Sequence, residues 1–324
     1  MKIDEALETL HIGSNLSGEK LDKGVMQLCR CSRRVARLVV ALGVVRLNGR
    51  IAKIVSKELK EGQILSVPKG SLERLQKAGE SVESRSQPEN MMGDILHLDR
   101  EIMVISKPSG LLSEKDRFGA PSADHLVGAY LKKRGESSQV WLVHRLDAVT
   151  SGVLMFARTK QAAKRIYASF REREVKKEYL ALVRGGFRGE VTVNEPIARI
   201  RGTQHGVKAW GKPAKTMVVG VDGNAEGSLL SVAPYTGRTH QIRVHLSHLN
   251  YPILGDKLYG GPMYVPLRAD AAGRLPVTRT MLHAYRLGLK HPKTNKLLEF
   301  QAPPPSDFQG LLGNLALSLT ARQA

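Results

Sequence analysis

The sequence predicts an α+β protein: a large domain built on a mixed, mostly antiparallel sheet, preceded by a small αβ domain. Three observations carry this. Strand-like apolar runs are short and numerous while helical stretches are few, which favours an antiparallel-rich sheet over a doubly wound parallel one. No Walker or dinucleotide-type glycine-rich motif occurs, so neither a nucleoside triphosphate nor a nicotinamide site is implied. Between residues 68 and 92 the chain turns polar and is broken by Pro68, Gly70, Gly79, Ser81, Ser84, Ser86 and Pro88. That stretch reads as a linker between a small domain, residues 1 to 67, and a large one, residues 93 to 324. At 324 residues and 42% hydrophobic content, the chain can bury a core in each.

In the small domain, Ser32 can cap a helix running from Arg33 to Leu42, and Gly43 can end it. Val35, Leu38, Val39 and Leu42 share one face of that helix. Arg33 and Arg37, four residues apart, are neighbours on the other side, with Arg34 beside them. Val44 to Leu47 reads as a strand, Asn48-Gly49 as a tight hairpin turn, Arg50 to Lys53 as its return, and Ile64 to Val67 as a closing strand. Residues 18 to 67 carry 11 Lys/Arg against 4 Asp/Glu, a surplus of 7.

In the large domain, Ile95 to Leu98 and Ile102 to Ile105 flank a turn at Asp99-Arg100-Glu101. Ala123 to Lys133 is helical up to Gly135. Val140 to Val143 and Val153 to Ala157 are strands on either side of a polar loop. Lys160 to Arg171 is helical, with Ala162, Ile166 and Phe170 on one face. Strands are expected at Glu178 to Val183, Ala214 to Val221, Leu229 to Ala233, His283 to Leu289 and Leu297 to Gln301. A helix from Thr239 to Leu249 points Ile242, Leu246 and Leu249 inward.

Charge narrows the partner. Fifty Lys+Arg against 30 Asp+Glu leave a formal net charge of +20, which implies a polyanion, nucleic acid first. No apolar run is long enough to span a bilayer, and no basic amphipathic anchor is visible, so no membrane association is expected. The first residues lack the basic-then-apolar pattern of a secretory signal, so a cytoplasmic location is expected. The two cysteines, Cys29 and Cys31, are read as reduced thiols. His240, His245 and His248 fall on one expected helix, but the five-residue step from 240 to 245 turns off its face, and no metal site is expected.

Four strings carry chemistry. They are Lys107-Pro108-Ser109-Gly110-Leu111-Leu112, then His144-Arg145-Leu146-Asp147-Ala148-Val149-Thr150-Ser151-Gly152, then Lys176-Lys177-Glu178-Tyr179-Leu180-Ala181-Leu182-Val183, and finally Thr236 to Leu246 continuing to Pro252-Ile253-Leu254-Gly255-Asp256. In this order they resemble the motifs of RluA-type pseudouridine synthases, which isomerise uridine within RNA. The loop departs from the family pattern at Ala148, where a lysine is frequent. Leu21-Asp22-Lys23, Ser32 to Ala36 and Gly43 to Gly49 resemble the small RNA-binding domain first seen in ribosomal protein S-four.

The resemblance implies the pseudouridine synthase fold, no cofactor, and an RNA partner, with large-subunit ribosomal RNA favoured over transfer RNA. A monomer is expected. Asp147 is implied as the nucleophile, acting on the sugar or on the base. Arg243 is implied as its partner, since a cation within about 4–6 Å holds a carboxylate in its charged form. Arg238 is the second candidate for that role. Tyr179 is implied to stack near the uracil and to help remove the proton left at carbon 5. Arg145 is implied to occupy the space of a nucleotide flipped from its stack. Arg238, His240, Arg33, Arg34 and Arg37 are expected to contact RNA, and His144 to brace its loop.

Two other functions compete. A non-catalytic RNA-binding or ribosome-assembly protein has no need of Asp147, Tyr179 and Arg243 together. An N-glycosidase or RNA lyase needs a second acid to activate water, and the motifs show no such partner for Asp147.

Overall fold

A computed structural model describes residues 7–31, 36, 39–40, 44–52, 57–68, 91–115, 121–267 and 270–319. The chain divides into two compact units, Met1–Gln87 and Pro88–Ala324.

The first unit holds a four-stranded antiparallel sheet in the order β1-β4-β2-β3. Its strands are β1 (Leu7–His11), β2 (Arg46–Leu47), β3 (Arg50–Ile51) and β4 (Ile64–Pro68). The expected Asn48-Gly49 hairpin is present. Both residues have positive φ, 50° and 77°, as a two-residue turn of this kind requires. The Asn48 side chain also accepts a hydrogen bond from the Ile64 amide, tying the turn to β4. Helix α1 (Leu21–Cys29) buries Leu21 and Val25 against Ile12, Leu59 and Leu65. Ala36, Val39 and Val40 are helical and fully buried in the same core. The remaining residues of that expected helix, Arg33, Arg34 and Arg37 among them, lie outside the described residues. Strand β1, the partner of β4, is not anticipated from the sequence; in the structure its side chains alternate between exposed and half-buried.

The second unit is organised on a ten-stranded sheet, ordered β10-β13-β14-β9-β17-β8-β6-β5, with β18 (Leu297–Gln301) on β17 and β7 on β8. Every pairing is antiparallel except a two-residue parallel contact between β17 (Leu282–Lys290) and β8 (Ser151–Ala157). This is the mostly antiparallel α+β architecture that the short strands predict. Strand β8 is buried along its whole length. Val153, Met155 and Ala157 enter one core cluster, and Leu154 and Phe156 another. The two-residue period of a strand sends alternate side chains to opposite faces, and both faces here are covered. Strand β6 (Ile102–Lys107), paired with β5 (Ile95–Leu98), alternates in the same way: Ile102 and Val104 on one side, Met103 and Ile105 on the other.

Helix α2 (Ala123–Lys133) covers the face of Leu154 and Phe156, and α3 (Lys160–Arg171) covers the face of Val153 and Met155. The Thr159 hydroxyl caps α3 by accepting from the Ala162 amide. Strands β9 (Lys176–Arg184), β13 (Thr216–Gly223) and β14 (Gly227–Pro234) form a third core with α4 (Gln241–His248) and α5 (Ser306–Asn314).

Several expectations are corrected. The strand expected at 140–143 is only Trp141–Leu142, β7. Met92, placed in the linker by the sequence, is 1% exposed within the core of α2 and β6, so packed structure starts before residue 93. Helix α5 and the strands β10 (Glu190–Val193), β11 (Ile197–Arg201), β12 (Gln204–Val207), β15 (Tyr264–Leu267) and β16 (Asp270–Pro276) were not anticipated. Among the described residues, no helix is long and apolar enough to cross a membrane.

Candidate active site

The polar loop between β7 and β8 is held by the strip that follows β6. The Ser113 hydroxyl donates to the Leu146 carbonyl and accepts from its amide, at 2.8 and 3.0 Å. Gly110 donates to the Ala148 carbonyl, and the Ser109 hydroxyl to that of Val149. Lys107 is 1% exposed, and its ammonium donates to three carbonyls, those of Pro108, Leu111 and Ala148. Burial pulls the Lys107 pKa down to about 7 against the opposing pull of Asp147. Three acceptors around three N–H bonds keep the ammonium satisfied. They also make Lys107 the peg on which the loop backbone hangs. The loop leaves through Gly152, whose φ is 112°. A Cβ there would stand 2.1 Å from the Ala284 carbonyl oxygen, so only glycine lets β8 and β17 come this close.

The loop delivers Asp147 into a cavity of about 270 Å³. Arg243, from the first half of α4, reaches it: Nη1 lies 3.1 Å from Asp147 Oδ2. The other side of the guanidinium is clamped by Asp256, with Nε to Oδ2 at 2.6 Å and Nη2 to Oδ1 at 2.9 Å. Asp256 is fully buried and Arg243 is 6% exposed. Tyr259 lies against the guanidinium, its ring centre 5.0 Å from Cζ. Burial opposes the charge on Arg243, but the Asp256 hydrogen bonds and the two carboxylates outweigh it and raise the pKa. The bidentate fork uses two of the five N–H bonds, fixes the plane of the guanidinium and leaves Nη1 aimed at Asp147.

Tyr179, on β9, lines the same cavity. Burial and then the charge of Asp147 raise its pKa, so it is a neutral phenol at physiological pH. His240 caps α4 with φ at 56°, a left-handed conformation that a residue with a side chain adopts only when its surroundings impose it. The Tyr259 hydroxyl accepts from the His205 amide and lies 2.8 Å from His240 Nδ1. The other ring nitrogen of His240, Nε2, stands 3.9 Å from Asp147 Oδ2. Burial lowers the His240 pKa, with Asp147 acting in the opposite direction.

The structure thus brings together Asp147, Arg243, Tyr179 and His240. Arg145 and Arg238 also line the cavity, but at its rim. Arg145 is exposed and, among the described residues, pairs with Glu114 at 3.3 Å. Arg238 donates to the Pro213 carbonyl rather than to Asp147, so the second candidate for pairing with the acid is corrected: that role falls to Arg243. His144 is a half-buried loop brace. Its Nε2 accepts from the Met155 amide, and burial followed by the nearby charge of Lys177 pulls its pKa down to about 3. His245 spends both ring nitrogens on Thr216 and the Glu195 carbonyl. Among the described residues, no group of three or more His, Cys, Asp or Glu side chains is arranged to hold a metal. Arg33, Arg34 and Arg37 lie outside the described residues.

Sequence reasoning passed over Lys107, Asp256 and Tyr259. Two of them were visible: Lys107 opens the first motif string and Asp256 closes the fourth. A buried acid thirteen residues beyond Arg243 was the missing signal for the clamp.

Residues 101–248 match the RNA pseudouridylate synthase family. The chain is 34% identical to ribosomal large subunit pseudouridine synthase D of Nitrosomonas europaea, over 94% of this chain and 86% of that protein. It is 29% identical to ribosomal large subunit pseudouridine synthase C of Vibrio parahaemolyticus, over 97% of this chain and 98% of that one. Among solved structures it resembles human RNA pseudouridylate synthase domain containing 4. That likeness has a TM-score of 0.58 at 25% identity, over 74% of this chain and 99% of that chain.

Proposed function

This chain belongs to the RNA pseudouridylate synthase family, and from that premise we propose that it isomerises uridines of large-subunit ribosomal RNA with Asp147 as the nucleophile. The observation that carries this reading is the chain Asp147–Arg243–Asp256 at the floor of a cavity that Tyr179 also lines. The reaction breaks the bond between C1′ and N1, turns the uracil, and forms a bond from C1′ to C5. A proton leaves C5 and one is gained at N1, so atoms balance without redox change or phosphate transfer.

Each part of the site has work in that sequence. Asp147 presents an anion to the nucleoside, and a fixed cation at 3.1 Å stabilises it with no reorganisation at the moment of reaction. Tyr179 provides an apolar wall for the uracil. Its neutral phenol assists C5 proton removal by relay, accepting the C5 proton as it hands its own to the Asp147 carboxylate, whose charge already acts on it. A stacked uridine hides its glycosidic bond, so the target must leave the stack to reach Asp147. Arg145, exposed beside the cavity mouth, fills the space it vacates. Arg238 contacts the RNA at the rim, and His240 contacts it inside the cavity beside Asp147. The small N-terminal unit, with its basic surplus, serves as an RNA-binding module like that of ribosomal protein S-four. The protein acts as a monomer in the cytoplasm.

The test is Asp147→Asn, assayed by tritium release from RNA labelled at uridine C5, with RNA binding measured in parallel. Release is expected to fall to background while affinity stays within about threefold, because the amide removes charge and little volume. Turnover retained by the purified variant would remove Asp147 from its role.

A further inference from the structure

The indole of Trp210 is 72% exposed, a large apolar surface left in water. The turn that presents it is rigid. Lys208 donates from its amide to the Pro196 carbonyl, Gly211 to Lys208, and Lys212 and Ile197 exchange a pair of backbone hydrogen bonds at 2.9 and 3.0 Å. A Cβ on Gly211 would stand 2.6–2.8 Å from the backbone of Ile197, so the turn is pressed against β11 and closes only over a glycine. An aromatic ring on a fixed turn loses little freedom when something stacks on it.

The surroundings name the chemistry of that partner. From Pro196 to Thr216 the chain carries Arg199, Arg201, Lys208, Lys212 and Lys215, all exposed, and no acidic residue. The turn also adjoins the catalytic rim, since the Pro213 carbonyl three residues on from Trp210 holds the guanidinium of Arg238, which lines the cavity. A second exposed ring, Tyr235, sits between two cavity-lining residues, Pro234 and Thr236, with the Lys215 ammonium 5.3 Å from its centre. Exposed aromatics interleaved with cations are the arrangement on which unpaired bases stack while the backbone phosphates are neutralised.

We propose that Trp210 is a stacking platform for an unpaired RNA base next to the target uridine, gripping the strand beside the cavity. This rests on the RNA pseudouridine synthase reading and adds a subsite to it. In such a subsite Trp210 contributes to holding the RNA and takes no part in the bond changes.

The chain has only two tryptophans, Trp141 and Trp210, so Trp141→Phe in the full-length protein leaves Trp210 as the sole indole reporter. Titration with a short oligouridylate is expected to quench its emission saturably. Trp210→Ala in the otherwise native chain, followed by anisotropy of a labelled oligouridylate, is expected to weaken binding about tenfold. Trp210→Phe, which keeps a stacking face, is expected to restore most of that loss. On a large-subunit ribosomal RNA transcript the Trp210→Ala deficit is expected in KM rather than in kcat. Unchanged oligouridylate affinity in Trp210→Ala, or equal losses in the alanine and phenylalanine variants, would overturn the platform. So would self-association of the native chain, seen by sedimentation, that Trp210→Ala abolishes, because the indole would then cover a second copy. An absence of tritium release from any RNA would sink the enzymatic reading instead, and leave the quenching result to stand alone.

Discussion

Two sets of cations face the same cavity and are held in opposite ways. Arg243 at the floor is 6% exposed, forked onto a fully buried Asp256, and aimed at Asp147. Arg145 at the rim is 71% exposed in its side chain and, among the described residues, pairs with Glu114, itself half exposed. A buried pair is hard to break, since removing one partner strands a charge in a poorly solvated place. An exposed pair is worth about 0–1 kcal/mol and exchanges readily. The floor is therefore built to hold one charge in one geometry. The rim is built to give up its weak partners when phosphates arrive. Substrate binding and bond chemistry are separated in space by burial alone.

The sharpest way to break this contrast is at the floor. Arg243→Met leaves Asp147 and Asp256 without their shared cation. Stability is expected to drop by about 3–5 kcal/mol in urea melts. Turnover of the folded fraction should fall by about 10³-fold, the order seen when a preorganised charge-stabilising group is deleted. Near-native turnover in a folded Arg243→Met protein would mean that the buried cation is structural only.

The interior also resists gaining charge, which pH can test. His283 is fully buried behind the loop, its Nε2 donating to the Ala302 carbonyl and its Nδ1 accepting from the Ser151 hydroxyl. Burial is the main cause that pulls its pKa from 6.5 down to about 4. Between those two values the unfolded chain holds a proton that the native state refuses. Stability from this group is thus complete above pH 6.5, declines as pH falls through the window, and levels off below about 4. At about 1.4 kcal/mol for each pKa unit, the decline is about 3 kcal/mol. His283→Gln should flatten that part of the stability profile. An unaltered slope in the variant would assign the acid sensitivity elsewhere.

The smallest effect belongs to the rim. Arg145→Ala is expected to change stability by less than about 1 kcal/mol. Its signature lies in turnover: as the residue that fills the vacated space, its loss should lower kcat while the slope of log affinity against log salt stays the same. A slope smaller by about 0.7, the mark of one lost single-strand phosphate contact, would make Arg145 a phosphate contact instead.

Much of the fold was legible locally. Helix α3 runs from Lys160 to Arg171 as its apolar spacing predicts, and β5, β6 and β18 lie where their alternation and turns place them. The strands that escaped are those with weak or partial patterns. Strand β1 alternates only between exposed and half-buried positions, and β11 presents three exposed residues of five. Helix α5 begins directly after a run of three prolines, where turn signals mask its first residues. In the site, Asp147, Tyr179 and Arg243 were legible because they sit inside recognisable strings. Lys107 was not singled out, because a lysine before a proline reads as a surface break. Only the structure shows its ammonium closed in by three carbonyls.

By itself the sequence determined the periods of its strands and helices, the surplus of positive charge, and the residue types available for chemistry. These depend on neighbours a few positions away, where the steric rules of the backbone act. Which guanidinium meets Asp147 was decided only in three dimensions. Arg238 and Arg243 are five residues apart and equally charged, yet one turns outward to the Pro213 carbonyl while the other crosses 96 positions of chain to the acid. The difference lies in burial beside Asp256, which chain folding alone creates, since only a guanidinium already forked onto a buried carboxylate stays fixed in the interior.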